Sequence, residues 1–223
     1  MEKPFNWSYS HLREFESCPR KYEANKVLKL YPYEQSAEAK YGDDVHKAIE
    51  NFIRDGAEIP EKFAQFRPVA EAAMAKPGRK LPELAMGIRR DLTPCEFFAR
   101  DVWARGKADL AIIDDDDLSA KVLDWKTGSN KYPDLDQMEL MSLMIFAHFP
   151  HIRRVSSAIV YIVKNDIKKM RMEREEAPKY WQRYIERVAK IEAARAAGVF
   201  NPKSGPLCAK WCPVITCEHN GRH

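Results

Sequence analysis

At 223 residues, 45% of them hydrophobic, the chain can enclose a core and is not a disordered one. No apolar run approaches the roughly 18–20 residues of a membrane span, and the start M-E-K-P-F-N-W has no secretory h-region. A cytoplasmic protein without a membrane partner is therefore expected, and its net charge of +4 permits binding to a polyanion without demanding it.

Ser10 is placed to cap a helix carrying Leu12 and Phe15, which Cys18-Pro19 ends because a residue before proline avoids the α region. Pro19 suits the first turn of a second helix through Tyr22. Residues 43–55 form a third, with Val45, Ile49, Phe52 and Ile53 at helical spacing. The segment 56–80 is helical or irregular, interrupted by Pro60, Pro68 and Pro77. Strands are predicted at 82–91, 95–105, 107–113 and 119–126, followed by an apolar helix at 134–149. Two more strands, at 155–164 and 167–173, precede a long helix of alternating charge at 176–197. The last 25 residues, with Pro202, Pro206 and Pro213, read as an irregular tail held by something other than apolar packing. No internal repeat or low-complexity linker divides the chain, so 1–223 reads as a single α/β domain on a mixed sheet flanked by helices.

The stretch G-K-A-D-L-A-I-I-D-D-D-D-L-S-A-K-V-L-D-W-K-T-G (106–128) reads as a hairpin with an aspartate in each arm. With a symmetric turn from Asp114 to Ser119, Asp109 falls opposite Asp124, and Leu110, Ile112, Leu123 and Trp125 point to the other face. Two like charges at cross-strand distance destabilise a sheet. A divalent cation turns that repulsion into coordination, and oxygen ligands suit Mg²⁺ or Mn²⁺. Lys126 shares the face of Asp124 and can reach a water on such a metal, the apparatus of phosphodiester hydrolysis. His46, on the helix 43–55, can add an imidazole if that helix packs beside the hairpin. The Asp114–Asp117 run reads as a solvated turn.

Five cysteines in a reducing compartment read as thiols or metal ligands. Cys208, Cys212 and Cys217 cluster in the tail, and Cys18 is the best available fourth thiol, with Cys95 an ordinary buried cysteine. Four thiolates suit either Zn²⁺ or an iron–sulfur cluster, and the spacing alone does not choose.

Together these pieces resemble the PD-(D/E)xK nuclease superfamily in its RecB-like branch, through G-D-D-V-H-K-A-I-E (42–50), G-K-A-D-L-A-I-I-D (106–114), V-L-D-W-K-T-G (122–128) and the helix opening D-Q-M-E-L-M. The resemblance runs from about residue 5 to the C-terminus and implies a restriction-endonuclease-like core. It implies that His46, Asp109, Asp124 and the Trp125 carbonyl bind Mg²⁺ or Mn²⁺, that Lys126 is the catalytic lysine, and that Gln137 assists near the scissile phosphate. Met141 stands where the family often has tyrosine, and Glu83 is the candidate for its upstream glutamate. Members of AddB type and CRISPR-adaptation nucleases carry one N-terminal and three C-terminal cysteines around a [4Fe–4S] cluster. That implies Cys18, Cys208, Cys212 and Cys217 as its ligands, stapling 1–30 to 199–223, with Zn²⁺ the alternative and His219 a possible substitute ligand. The tail departs from the family's usual C-x-x-C by one residue, at Cys208-A-K-W-Cys212.

The expected activity is a metal-dependent exonuclease on single-stranded DNA or DNA with free ends, in recombination, repair or phage DNA processing. The cell would be bacterial or phage-infected, with a helicase or recombination protein as a candidate partner. The rivals are a structure-specific DNA endonuclease and a non-catalytic, zinc-containing DNA-binding subunit. Arg13, Arg20, Lys21, Lys203 and Lys210 are candidates for a basic rim, and Trp7, Tyr9 and Trp211 for stacking on unpaired bases.

Overall fold

The computed structural model describes residues 5–31, 34–116 and 118–221. In chain order its elements are β1 (Trp7–Ser8), α1 (Tyr9–Ser17), α2 (Pro19–Tyr22), a π-helical turn at Glu23–Val27, α3 (Ala37–Asp55), a 3-10 segment at Glu61–Phe66 and α4 (Arg67–Met74). There follow β2 (Arg79–Ile88), β3 (Pro94–Cys95), β4 (Ala104–Ile113), β5 (Ser119–Lys126), α5 (Leu135–His148), β6 (Arg154–Tyr161) and β7 (Asp166–Glu173). A 3-10 turn at Arg174–Glu176 leads into α6 (Ala177–Ala197), and another, at Pro206–Cys208, lies in the tail. Among the described residues no helix is long and apolar enough to cross a membrane. The chain forms two compact units, one of 35–181 and one of 1–34 with 182–223.

The unit 35–181 is a mixed sheet flanked by helices, its strands in the order β3-β2-β4-β5-β6-β7. β4 and β5 form the antiparallel hairpin, with Ile113 opposite Ala120 and Leu110 opposite Leu123 as the symmetric turn requires. β5 and β6 are parallel, and α5 makes the crossover that a parallel pair demands. α3 begins at Ala37, earlier than residue 43, because the Ser36 side chain caps it by accepting the Ala39 N–H (3.2 Å), and Gly56 ends it in left-handed backbone. Its stripe of Val45, Ile49 and Ile53 is buried against Leu110, Ile112, Leu123 and Trp125, the inner face expected of the hairpin. α5 covers the sheet from another side and is buried from Met138 to Phe146. Gly106 makes room for it, since a side chain there would meet Met141 and Met144.

The strand expected at 95–105 is only Pro94–Cys95, and β4 starts at Ala104. Turn bonds hold the intervening chain as a loop. The Ala99 N–H donates to the Glu96 carbonyl (3.0 Å) and the Val102 N–H to that of Ala99 (3.3 Å), while Arg89 pairs with Asp101 (2.6 Å). Such local backbone bonds replace a ladder, which periodicity alone does not register.

In the other unit α1 is capped by Ser8, which accepts the His11 N–H (3.4 Å), while Ser10 lies inside the first turn. Trp7 is fully buried and stacks on Tyr184 (6.0 Å), so it is not available to a base. Arg187 grips Glu16 through two bonds (2.6 and 2.9 Å), and this pairing, outweighing burial, holds the Glu16 carboxyl below its ordinary pKa. Beyond α6 the tail is a series of turns. The Asn220 carboxamide, 4% exposed, closes them by donating to the carbonyls of Cys212 (3.2 Å) and Val214 (2.9 Å).

Candidate active site

Four elements of the unit 35–181 bring the predicted residues together. The β4–β5 ladder ends at Leu110–Leu123, and at the next position the Asp109 carboxylate accepts the backbone N–H of Trp125 (2.7 Å). On β5, Asp124 Oδ2 lies 2.6 Å from Lys126 Nζ, and Gln137, in the first turn of α5, donates to Asp124 Oδ1 (2.9 Å). α3 approaches through Gly42, where a Cβ would lie 3.1 Å from the Thr127 hydroxyl. One helical turn later His46 Nδ1 stands 3.4 Å from Asp109 Oδ2. Gly42 and His46 in the G-D-D-V-H stretch thus serve one purpose, close approach and then an imidazole.

The electrostatics follow from burial. Asp124 is 4% exposed, and desolvation, opposed by Lys126 and aided by Asp109, pushes its pKa up to about 6. Its Oδ2 is buried without a geometrically sound hydrogen bond, although the Lys126 ammonium lies against it. Burial works to lower the pKa of Lys126, but the charge and hydrogen bond of Asp124 and the charge of Asp109 outweigh it and hold the ammonium above its ordinary value. His46 follows the same pattern, lowered by burial and raised further by Asp109 and Asp124. A buried carboxylate with an underused oxygen, a second carboxylate and an imidazole form a donor set that fits a hard divalent cation. Among the described residues no three His, Cys, Asp or Glu side chains are drawn together as a closed metal site. Here the carboxylates bond instead to Trp125 N–H, Lys126 and Gln137.

The family profile of the PD-(D/E)XK nuclease superfamily matches residues 6–217. The chain belongs to the PD-(D/E)XK nuclease superfamily. Asp124-Trp125-Lys126 has the spacing that the (D/E)XK of that name spells, and on β5 it sets both charged groups on one face, since alternate residues of a strand share a face. A crystal structure of a "Putative exonuclease" from Eubacterium rectale is similar at 12% identity and TM-score 0.52, over 92% of this chain and 86% of that one, a likeness of fold. The crystal structure of SSO0001 aligns over 99% of this chain and 89% of that one, at 14% identity and TM-score 0.49. None of the curated proteins matches in sequence.

Within this nuclease fold one further acid and a phenol border the site. Pro82 pairs with Leu110 and Leu84 with Ala108, so Glu83 stands across from Asp109 on the side away from Asp124. Glu83 has φ +55, a conformation uncommon for a residue with a side chain, and its carboxylate pairs with Lys107. Three acids thus occupy neighbouring strands in one row, which the register reveals and the sequence only suggests. Tyr161 was not legible at all. It is set beside Lys126 by the parallel β5–β6 register, which local sequence does not encode. Met141 is buried against the Gly106 site, so it is core packing. In the acidic turn, Asp114 pairs with Lys121, Asp116 accepts the Leu118 and Ser119 N–H groups (3.0 and 3.2 Å), and Asp117 lies outside the described residues.

The cysteines gather in the other unit. Cys18, Cys208 and Cys212 line one cavity of about 490 Å³, together with Arg13, Lys21, Lys203 and Trp211. Cys217 is buried in a small cluster with Ala24 and Val214, against which Cys212 packs. Cys95 is buried in β3, as an ordinary core thiol would be. Arg20 pairs with Glu23 (3.6 Å), and Lys203 donates to the Glu16 carbonyl (2.8 Å).

Proposed function

We propose that this member of the nuclease superfamily is a metal-dependent deoxyribonuclease acting from the ends of single-stranded DNA. The observation that carries the reading is the buried Asp124, crowded by Asp109 and carrying an underused oxygen beside a firmly protonated Lys126. A hydrophobic sheet gains nothing from such an arrangement, whereas a cation would relieve it. Asp109, Asp124 and His46, with the Trp125 carbonyl, would hold Mg²⁺ or Mn²⁺. When bound, the cation would supply a water of lowered pKa and a counter-charge for a phosphoryl oxygen.

The chain's own groups have separate tasks. Lys126, kept as an ammonium by Asp124, donates hydrogen bonds to the attacking water or the phosphate and offsets negative charge developing there. Gln137 fixes the orientation of the Asp124 carboxylate. His46 and the Trp125 N–H fix that of Asp109.

The four thiols Cys18, Cys208, Cys212 and Cys217 fit a [4Fe–4S] cluster of the RecB-like, AddB type, with Zn²⁺ as the alternative. Their lining of one cavity and one adjoining small core supports that reading. The cluster's role would be structural, joining the two ends of the chain. Digestion of end-labelled linear and closed circular single strands with Mg²⁺ or Mn²⁺ tests the activity. An exonuclease degrades the linear strand from an end and spares the circle, whereas rapid nicking of the circle identifies an endonuclease. No cleavage with either metal would overturn the hydrolytic reading.

A further inference from the structure

The three tail cysteines share a feature that their thiols do not explain. Each of their backbone carbonyls accepts a hydrogen bond from the dipeptide Asn220-Gly221. The Gly221 N–H donates to the Cys208 carbonyl (3.1 Å), the Asn220 carboxamide to that of Cys212 (3.2 Å) and the Asn220 N–H to that of Cys217 (2.9 Å). The same carboxamide also donates to the Val214 carbonyl (2.9 Å). Two residues thus tie together turns spread over 208–217.

Both residues suit this task. Asn220 is 4% exposed, and a carboxamide is buried at little cost only where its donors are used. Gly221 lies so close to the Cys208–Ala209 turn that a Cβ there would stand 2.9 Å from Ala209 Cα, which is backbone and cannot swing aside. Apolar packing holds the tail only weakly. Leu207, Trp211 and Ile215 are more than half exposed, and the described core there is Ala24, Val214 and Cys217, with Tyr31 and Cys212 packed beside it. Cys18 is held by comparable means. Its Sγ accepts the Lys203 N–H (3.4 Å), and the Lys203 ammonium donates to the Glu16 carbonyl (2.8 Å). None of these bonds involves a metal. A ligand set whose backbone is already folded has less chain entropy to lose when it closes on an ion.

We propose that Asn220-Gly221 is a positioning element that folds Cys208, Cys212 and Cys217 into a ligand set before a metal or cluster binds. The proposal rests on the cysteine-site reading for its ligand and adds what holds that site in the ligand's absence. Asn220 acts through the carbonyls and not on the metal, so replacing it leaves the coordination itself intact.

The test uses the full chain and three variants: Asn220→Ala, Asn220→Asp, which keeps the shape but has no side-chain N–H to donate, and Gly221→Ala. Metal-free, reduced protein is followed by amide exchange. Wild type is expected to exchange at 208–221 more slowly than a free peptide, though faster than when loaded. Each variant is expected to exchange there about tenfold faster than wild type, the effect of leaving buried carbonyls unpaired. The proteins are then reconstituted anaerobically with ferrous iron and sulfide, or with Zn²⁺ alone. The variants are expected to reach the wild-type metal content and iron–thiolate absorption, yet to release the metal to a chelator about tenfold faster. Metal-free wild type that exchanges at the free-peptide rate through 208–221 overturns the proposal, since the metal would then fold the tail. An Asn220→Asp protein equal to wild type in both exchange and release overturns it too, and an altered absorption would make Asn220 a ligand instead. A wild type that takes up neither iron nor zinc, yet protects its tail and loses that protection in the variants, refutes the cysteine-metal reading and leaves the positioning element standing.

Discussion

Asp124 sets a functional requirement against stability at a single residue. Its folded-state pKa lies above the ordinary carboxylate value, so the folded chain holds that proton more tightly than the unfolded chain does. The stability this contributes is full below about pH 4 and is lost as the pH rises through about 6. Asp124→Asn removes the charge and keeps the shape. In EDTA the variant should therefore be more stable than wild type at pH 7 by about 1–3 kcal/mol, with little difference at pH 4.5. Denaturant titrations at the two pH values measure this, and a variant less stable than wild type at pH 7 would contradict it. The same variant should lose cleavage, and Mn²⁺ should raise the melting temperature of wild type only. Lys126→Met should lower cleavage at least about a hundredfold while metal binding persists, read by calorimetric titration. Full activity in that variant would remove the lysine from the mechanism.

At the scale of elements, the site depends on how closely two helices approach the sheet. α5 settles over Gly106 and thereby carries Gln137 to Asp124. Gly106→Val should push against Met141 and Met144 and lower stability by about 1–3 kcal/mol. It should also lower the cleavage rate more than Gln137→Ala does, because the whole first turn of α5 is displaced. Melting curves and initial rates of the two variants give the comparison, and a Gly106→Val protein as active as wild type would show that α5 does not set the site. α3 was readable from its stripe of Val45, Ile49 and Ile53, and its capping by Ser36 extended it beyond the predicted start. The loop at 96–103 was not readable as a loop, because Phe97, Phe98, Val102 and Trp103 are strand-favouring residues, while the turn bonds from Ala99 to Glu96 and from Val102 to Ala99 leave no local signature.

For the whole molecule, the proposed cysteine site would govern one of the two compact units. If Cys18, Cys208, Cys212 and Cys217 hold one cluster, anaerobically purified protein should be brown with about four irons per chain. Alanine at any of the four should bleach it and speed amide exchange in 5–31 and 199–221, because folding and metal binding are linked there. Cys95→Ala should leave the colour intact. Stoichiometric zinc without iron would replace the cluster by the zinc alternative.

The sequence by itself determined the hairpin, its register and the residues that meet in it. Side chains alternate with period two along a strand, and a short turn leaves few ways to pair its arms, so Asp109, Asp124 and Lys126 could be grouped from spacing alone. It also marked His46, Gln137 and the four outlying cysteines as chemically suited residues, without showing where each would stand. Tertiary structure alone decided that Glu83 stands across β4 from Asp109, because a left-handed residue inside a strand leaves no local signature. It alone set Tyr161 beside Lys126, since parallel pairing depends on a crossover helix rather than on a turn. It buried Trp7 against Tyr184 and left Phe98 in solvent. Both are aromatic residues in short apolar stretches, and their fates differ because burial depends on which distant surfaces are present to receive a ring.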